Sequence, residues 1–462
     1  MATIFQNGLV VTMDPRRRVL QPGTLVVEKG ILVEVSELAR RGGASDTVLD
    51  CRGRMVLPGL INIHAHTTEA LFRGCATDLP FLQWLLERNH PLLKQMLPDD
   101  ARLAGLLCGL EMLASGTTCY LDPEVWPEHF AGVAQAMETI GLRAGLALAL
   151  EGGSGYNMEP GKQLVSDEGP AAQLDAVLAW HDAADRRLQV WLGPRVVSAI
   201  DRPLAGFMRE AVAGLGTGIT AHFAEVEEDV REIQRVHGIG ATEYLEDLGL
   251  LGPQMILTHA IRLEEADLDA IARTDTRIAH CPASNLKLGN GFAPIPELLD
   301  RGVVVALGTD GGLCNDTYDL LREMNLAGLI HKANYREPRV TPAEKILEMV
   351  TCDGARALGL QDRIGSLEVG KQADVTVLDL RGIGWRPLHN PIANLVYGSA
   401  TRACVDTVMV DGEVLLQEGR PLHLDCQSIM SQAQERSQAI VAGIGLSDAV
   451  RSRWQVQERA ER

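Results

Sequence analysis

Eight short apolar runs, each followed by a longer stretch of helical character, restrict this chain more than any other feature. They are MVLPGLINI (55–63), TTCYLD (117–122), RAGLALAL (143–150), LQVWLGPRVV (188–197), GITAHFAE (218–225), QMILTHA (254–260), RIAHCP (277–282) and VVVALGTD (303–310). Several are apolar almost throughout, as strands buried on both faces are. Eight strands alternating with helices over roughly 250–300 residues predict a (β/α)8 barrel.

A barrel leaves both chain ends unaccounted for. TIFQNGLVVTM and TLVVEKGILVEVS read as strands, with a tight turn at Lys29-Gly30. Far downstream, ADVTVLDL (373–380) and VDTVMVDGEVLLQEG (405–419) alternate in the same way around Asp411-Gly412. The economical reading joins these blocks. Residues 1–55 plus 365–423 form a small β-sandwich domain built from both chain ends, 56–364 form the barrel, and 424–462 are a charged helical tail. The fold class is α/β, a TIM barrel with an appended β-sandwich.

Composition removes several functional classes. The formal net charge is −18, which repels phosphate backbones and argues against nucleic-acid partners. The nine cysteines are odd in number and form no C-x-x-C, a pattern of reduced thiols rather than of a disulfide framework. The N-terminus lacks a basic start and a small-residue cleavage site, and no apolar run is long enough to span a bilayer. A cytoplasmic location and no membrane partner are expected.

Ligand-capable side chains gather at the C-terminal ends of the eight runs. His64 and His66 follow the first as H-A-H, His222 and Glu225 lie in the fifth, His259 ends the sixth, His280 the seventh and Asp310 the eighth. A barrel brings these ends to one face, where its active site sits. H-x-H alone specifies little, but residues two apart on a strand point the same way and can reach one ion. Imidazoles with one carboxylate suit Zn²⁺ or Fe²⁺ better than Mg²⁺ or Ca²⁺. The other seven histidines, at 90, 129, 181, 237, 331, 389 and 423, read as surface or capping residues.

P-G-L-I-N-I-H-A-H (58–66), H-F-A-E (222–225), L-T-H-A (257–260), A-H-C-P-A-S-N-L-K-L (279–288), L-G-T-D-G-G (307–312) and I-G-S-L-E-V-G-K-Q-A-D (364–374) together resemble the amidohydrolase superfamily. They are most similar to its branch of aromatic deaminases and chlorohydrolases. That resemblance implies one divalent ion, Zn²⁺ or alternatively Fe²⁺, on His64, His66, His222 and Asp310. It also implies catalytic roles for Glu225, His259 and Asp310, and a homodimer or larger homo-oligomer. Binuclear members carry a carbamylated lysine on the fourth strand. LQVWLGPRVV has no lysine, so a mononuclear site is implied.

The expected reaction is hydrolytic deamination of an amino-substituted N-heteroaromatic ring such as an s-triazine, pterin or purine base. Glu225 would shuttle a proton to the ring nitrogen, and His259 would orient the attacking oxygen. The alternatives are an S-adenosylhomocysteine or methylthioadenosine deaminase and an s-triazine chlorohydrolase. Retention of both Glu225 and His259 favours C–N cleavage, because ammonia leaves only after protonation. Nucleoside-type members place a ribose-binding glutamate where this chain has Leu93, so bare rings are expected over ribosides. Glu87 and Glu69 are the carboxylates that could substitute for it. Phe81, Trp84 and Trp126 are candidates to stack on a flat ring. Cys314 and Asn315 are candidate substrate contacts. Gly311 departs from melamine deaminase, which has an acidic residue just after its metal aspartate.

Overall fold

The computed structural model describes residues 1–150, 169–398 and 402–450. Eight parallel strands form one sheet in chain order: Leu60–Asn62, Thr117–Val125, Arg143–Leu150, Leu188–Pro194, Ile219–Phe223, Met255–His259, Arg277–His280 and Val305–Leu307. The sheet closes because Ile63 N–H donates to Leu307 O at 3.0 Å and Asp310 N–H to His64 O at 2.9 Å. Each strand falls within or across one of the eight apolar runs. The surrounding helices use ordinary end signals. In Arg202–Leu215, the Asp201 carboxylate accepts from Leu204 N–H and Gly216 ends the helix at φ +67°. Its Leu204, Ala205, Met208 and Val212 are buried, one stripe at helical spacing.

The run at 55–63 divides between two sheets. Arg54–Pro58 pairs antiparallel with Val375–Asp379, and only Leu60–Asn62 enters the barrel. The crossover falls at Gly59, where a Cβ would lie 2.0 Å from the Thr118 hydroxyl oxygen. Only glycine lets the chain pass from one sheet to the other at that point.

The two chain ends build a nine-stranded mixed sheet. Its farthest strand, Ile31–Ser36, turns back so that Ile31 bridges Gln372. The sheet thereby encloses Phe5, Leu25, Leu32, Val56, Val375 and Met409. The turns Lys29-Gly30 and Asp411-Gly412, all four residues at positive φ, abut each other: a Cβ on Gly412 would lie 2.5 Å from Gly30 Cα. A buried ion pair ties this sheet to the barrel, with Arg143 Nε and Nη2 each 3.1 Å from an Asp374 carboxylate oxygen. The C-terminal helix Cys426–Gly443 packs on Pro98–Ala114, where Arg436 clasps Asp100. Residues 451–462 of the expected tail lie outside the described residues. Among the described residues, no helix is long and apolar enough to cross a membrane.

Candidate metal centre and active-site cavity

The barrel mouth collects the side chains that the strand ends predict. His66 Nε2 lies 3.0 Å from His222 Nε2, and both His64 Nε2 and His66 Nε2 lie 3.5 Å from Asp310 Oδ1. His259 Nε2 is 3.5 Å from Glu225 Oε2 and 3.8 Å from Asp310 Oδ2. Donor atoms of His64, His66 and Asp310, and of His64, His222 and His259, lie close enough to share one cation.

Backbone strain concentrates here. Ala224, His259, Ala260 and Asp310 all have φ between +47° and +70°. Non-glycine residues adopt that conformation at a cost of about 1–3 kcal/mol each, which the surrounding fold must offset. At the sixth and eighth strands, it turns the chain just where a functional side chain enters the mouth.

Neighbouring groups orient the imidazoles. His64 Nδ1 lies 3.0 Å from the Thr258 hydroxyl, and His259 Nδ1 lies 2.9 Å from Asn285 Oδ1. His64 Nε2 is buried without a protein hydrogen-bond partner. Burial lowers His64 and His222 to about 3 and His259 to about 4, so these rings are neutral and offer lone pairs. His66 behaves differently: burial lowers it, but Glu69, Asp310, Asp122 and Glu124 outweigh that and raise it. An orphaned ring nitrogen, neutral imidazoles and an excess of buried carboxylate are what a divalent cation would satisfy.

Glu225 is buried, not on the surface as the acidic residues after it would suggest. Asn290 Nδ2 donates to its Oε1 at 2.7 Å, and Asp229 Oδ2 accepts from its backbone N–H. Burial first, then Asp310 and Asp229, push its carboxyl well above the usual range. A carboxyl whose acid form burial favours, beside the donor cluster, is suited to give up a proton.

The mouth opens into a cavity of about 550 Å³. Phe81, Trp84, Trp126 and Cys314 line it, as does Leu93. Trp84 Nε1 donates to Leu313 O, and the Arg195 guanidinium lies 4.8 Å over the Trp126 ring. Asn315, expected at the substrate, is not among the lining residues. Its amide is engaged by Thr309 O, Glu323 and Arg322, so it braces the loop behind the cavity. Glu87 is half exposed and bonded to Gln83, whereas Glu69 is buried in the cavity wall.

Three histidines correct the surface reading. His331 is buried with Nε2 3.0 Å from His280 Nε2, so His280 pairs behind the cluster instead of joining it. His129 is buried and stacks on Trp126, and His90 lines the cavity. Glu124 and Arg195 were missed by sequence reasoning. They meet at 3.0 Å in the cavity wall, brought from the second and fourth strands. A carboxylate and a guanidinium 71 residues apart carry no local signal of that meeting.

A closed parallel barrel with four imidazoles and two carboxyls at its mouth defines a metal-dependent hydrolase. The chain belongs to the amidohydrolase family, whose model matches residues 55–415, and it is a hydrolase of C–N bonds other than peptide bonds. It is 34% identical over 443 residues to a 5'-deoxyadenosine deaminase of Methanosarcina acetivorans, covering 95% of this chain and 98% of the relative. It is 36% identical over 427 residues to a 5-methylthioadenosine/S-adenosylhomocysteine deaminase of Desulforudis audaxviator, covering 91% and 96%. Among solved structures it resembles an adenosine deaminase from Xanthomonas campestris with bound zinc (TM-score 0.87, 28% identity, 95% and 98% covered). It also resembles atrazine chlorohydrolase from Arthrobacter aurescens complexed with zinc (TM-score 0.85, 26% identity, 95% and 100% covered).

Proposed function

We propose that this protein is a mononuclear metal-dependent deaminase of an amino-substituted N-heteroaromatic ring, releasing ammonia. The observation that carries this reading is the buried Glu225 carboxyl 3.5 Å from His259, beside the His64, His66, His222 and Asp310 donors. Those four residues would hold one divalent ion, Zn²⁺ in first place and Fe²⁺ as the alternative. Such an ion acidifies water, which supplies a nucleophile at neutral pH. Asp310 would accept the proton that the attacking water gives up. Glu225 gives its proton to the ring nitrogen, which makes the adjacent carbon electrophilic, and a second proton must reach the departing amine. His259, fixed by Asn285, orients the reacting oxygen. Trp84, Phe81 and Trp126 supply flat apolar walls, and Cys314 contributes a small thiol to the floor.

A second reading is deamination of a 5'-substituted adenosine, as the names of the curated relatives suggest. The size of the cavity and its Glu124–Arg195 wall favour it, because a lone ring would leave much of that space unfilled. Leu93 in the cavity wall favours a bare ring. Ammonia release across amino-triazines, pterins, purine bases and 5'-substituted adenosines, with protein reconstituted separately with Zn²⁺ and Fe²⁺, separates the readings. No ammonia from any of them would end the deaminase reading. We also propose a cytoplasmic homo-oligomer. All nine cysteines are free, in keeping with a reducing compartment.

A further inference from the structure

Glu69 has no part in the chemistry above, yet its surroundings are built around it. It follows His66 on the short 3-10 helix Thr67–Phe72 and is 2% exposed. Asn89 Nδ2 donates to Oε1 at 2.6 Å, and Leu313 N–H donates to Oε2 at 3.0 Å. The loop that follows Asp310 makes room for it. A Cβ on Gly311 would lie 1.8 Å from Glu69 Oε2, so any other residue at 311 evicts the carboxyl group. The side chain reaches the same cavity wall as His66, Asp310 and Cys314.

Its position in the barrel gives this carboxyl group a direction. Glu69 follows the first strand and Glu225 the fifth, and in an eight-stranded barrel those two strands stand opposite each other across the mouth. A ring that turns one nitrogen toward Glu225 presents another edge toward Glu69. We propose that Glu69, seated in the space left by Gly311, is a specificity-determining carboxyl group that accepts an N–H of the substrate's exocyclic amine. This rests on the deaminase reading above. A site of this kind discriminates strongly, because a substrate without the N–H leaves a buried acceptor unpaired. The enzyme should therefore favour an amine over a methoxy or chloro leaving group at the same ring position.

The test uses the zinc-loaded enzyme with matched pairs: 6-aminopurine and 6-methoxypurine ribosides, and 2-amino-4,6-dimethyl-s-triazine with 2-chloro-4,6-dimethyl-s-triazine. Three variants are compared with the parent. E69Q removes the charge. E69Q/N89D returns the hydrogen bond to position 89 and so keeps the local network. G311A displaces the carboxyl group without altering it. The expected result is a ratio of kcat/KM, amine over non-amine, that falls at least about tenfold in all three variants, with zinc content at the parent level. A purely structural Glu69 would instead leave E69Q/N89D at the parent ratio. That result, or a loss of activity that tracks loss of zinc, overturns the proposal. A parent enzyme that acts only on the methoxy and chloro members overturns it too. A parent that turns over no member of either pair and releases no ammonia in the wider screen defeats the deaminase reading, and this proposal falls with it.

Discussion

The Thr258 hydroxyl lies 3.0 Å from Nδ1 of His64, reaching from the sixth strand to the first across the barrel interior. With Nδ1–H donating to that oxygen, the His64 lone pair falls on Nε2, which faces the donor cluster. Thr258→Val removes the partner with little change in volume. Affinity for Zn²⁺ should fall about 10–100-fold while the fold is kept, as loss of a ligand's orienting partner does. Competition with a chelator reads the change, and an unaltered affinity would show that Thr258 does not set the tautomer.

His64→Asn should abolish both metal binding and turnover. The imidazole is fully buried, and an amide at that position cannot reach the same point. Elemental analysis of the purified variant and the ammonia assay check this together. Retained turnover would remove His64 from the ligand set.

Glu225→Gln should keep the metal and lose deamination by about 10²–10⁴-fold, the usual contribution of a positioned proton donor. The amide can still accept from Asn290 but has no carboxyl proton to give. If the variant instead loses its ion, Glu225 is a ligand and not a shuttle.

Glu323 should give the stability a pH dependence of its own. It is buried, held by Ala283 N–H and Asn315 Nδ2, and burial raises it to about 8. Between its unfolded value near 4.5 and about 8, the native state holds a proton that the unfolded chain releases. Its contribution to stability is therefore present below pH 4.5 and is lost as pH rises toward 8. Calorimetry from pH 5 to 8 should show a Tm that falls less in Glu323→Gln than in the parent. Parallel curves would mean that Glu323 does not carry the dependence.

The Arg143–Asp374 pair joins barrel and end sheet, and Asp374 also accepts from Asp411 N–H. Arg143→Ala leaves a buried carboxylate uncompensated and should cost about 3–5 kcal/mol. Arg143→Met with Asp374→Leu should cost less, since neither charge is then stranded. Urea denaturation of both variants gives the comparison.

Much of this is legible in the sequence alone. The eight apolar runs announce strands because burial on both faces demands continuous apolar chemistry. Lys29-Gly30 and Asp411-Gly412 announce their hairpins because two successive residues at positive φ favour such pairs. His64, His66, His222, His259 and Asp310 stand out because strand ends in a barrel converge. The division of 55–63 between two sheets was not legible, because Gly59 matters through Thr118, which is distant in sequence. The burial of His331 against His280 and the meeting of Glu124 with Arg195 were hidden for the same reason.

Period, turn chemistry and the order of strand-end residues are local properties of the chain, and they were enough to indicate a barrel with a histidine-rich mouth. Whether a given side chain enters the cavity depends on neighbours contributed by other elements, the loops and helices that follow the strands included. Asn315 was expected at the substrate but is drawn behind the wall by Glu323 and Arg322, whereas Glu69 is admitted to the wall because Gly311 lacks a Cβ. Asn315 is drawn away by side chains seven and eight positions on, whereas the space that admits Glu69 is left by a residue 242 positions away and exists only in the closed tertiary structure.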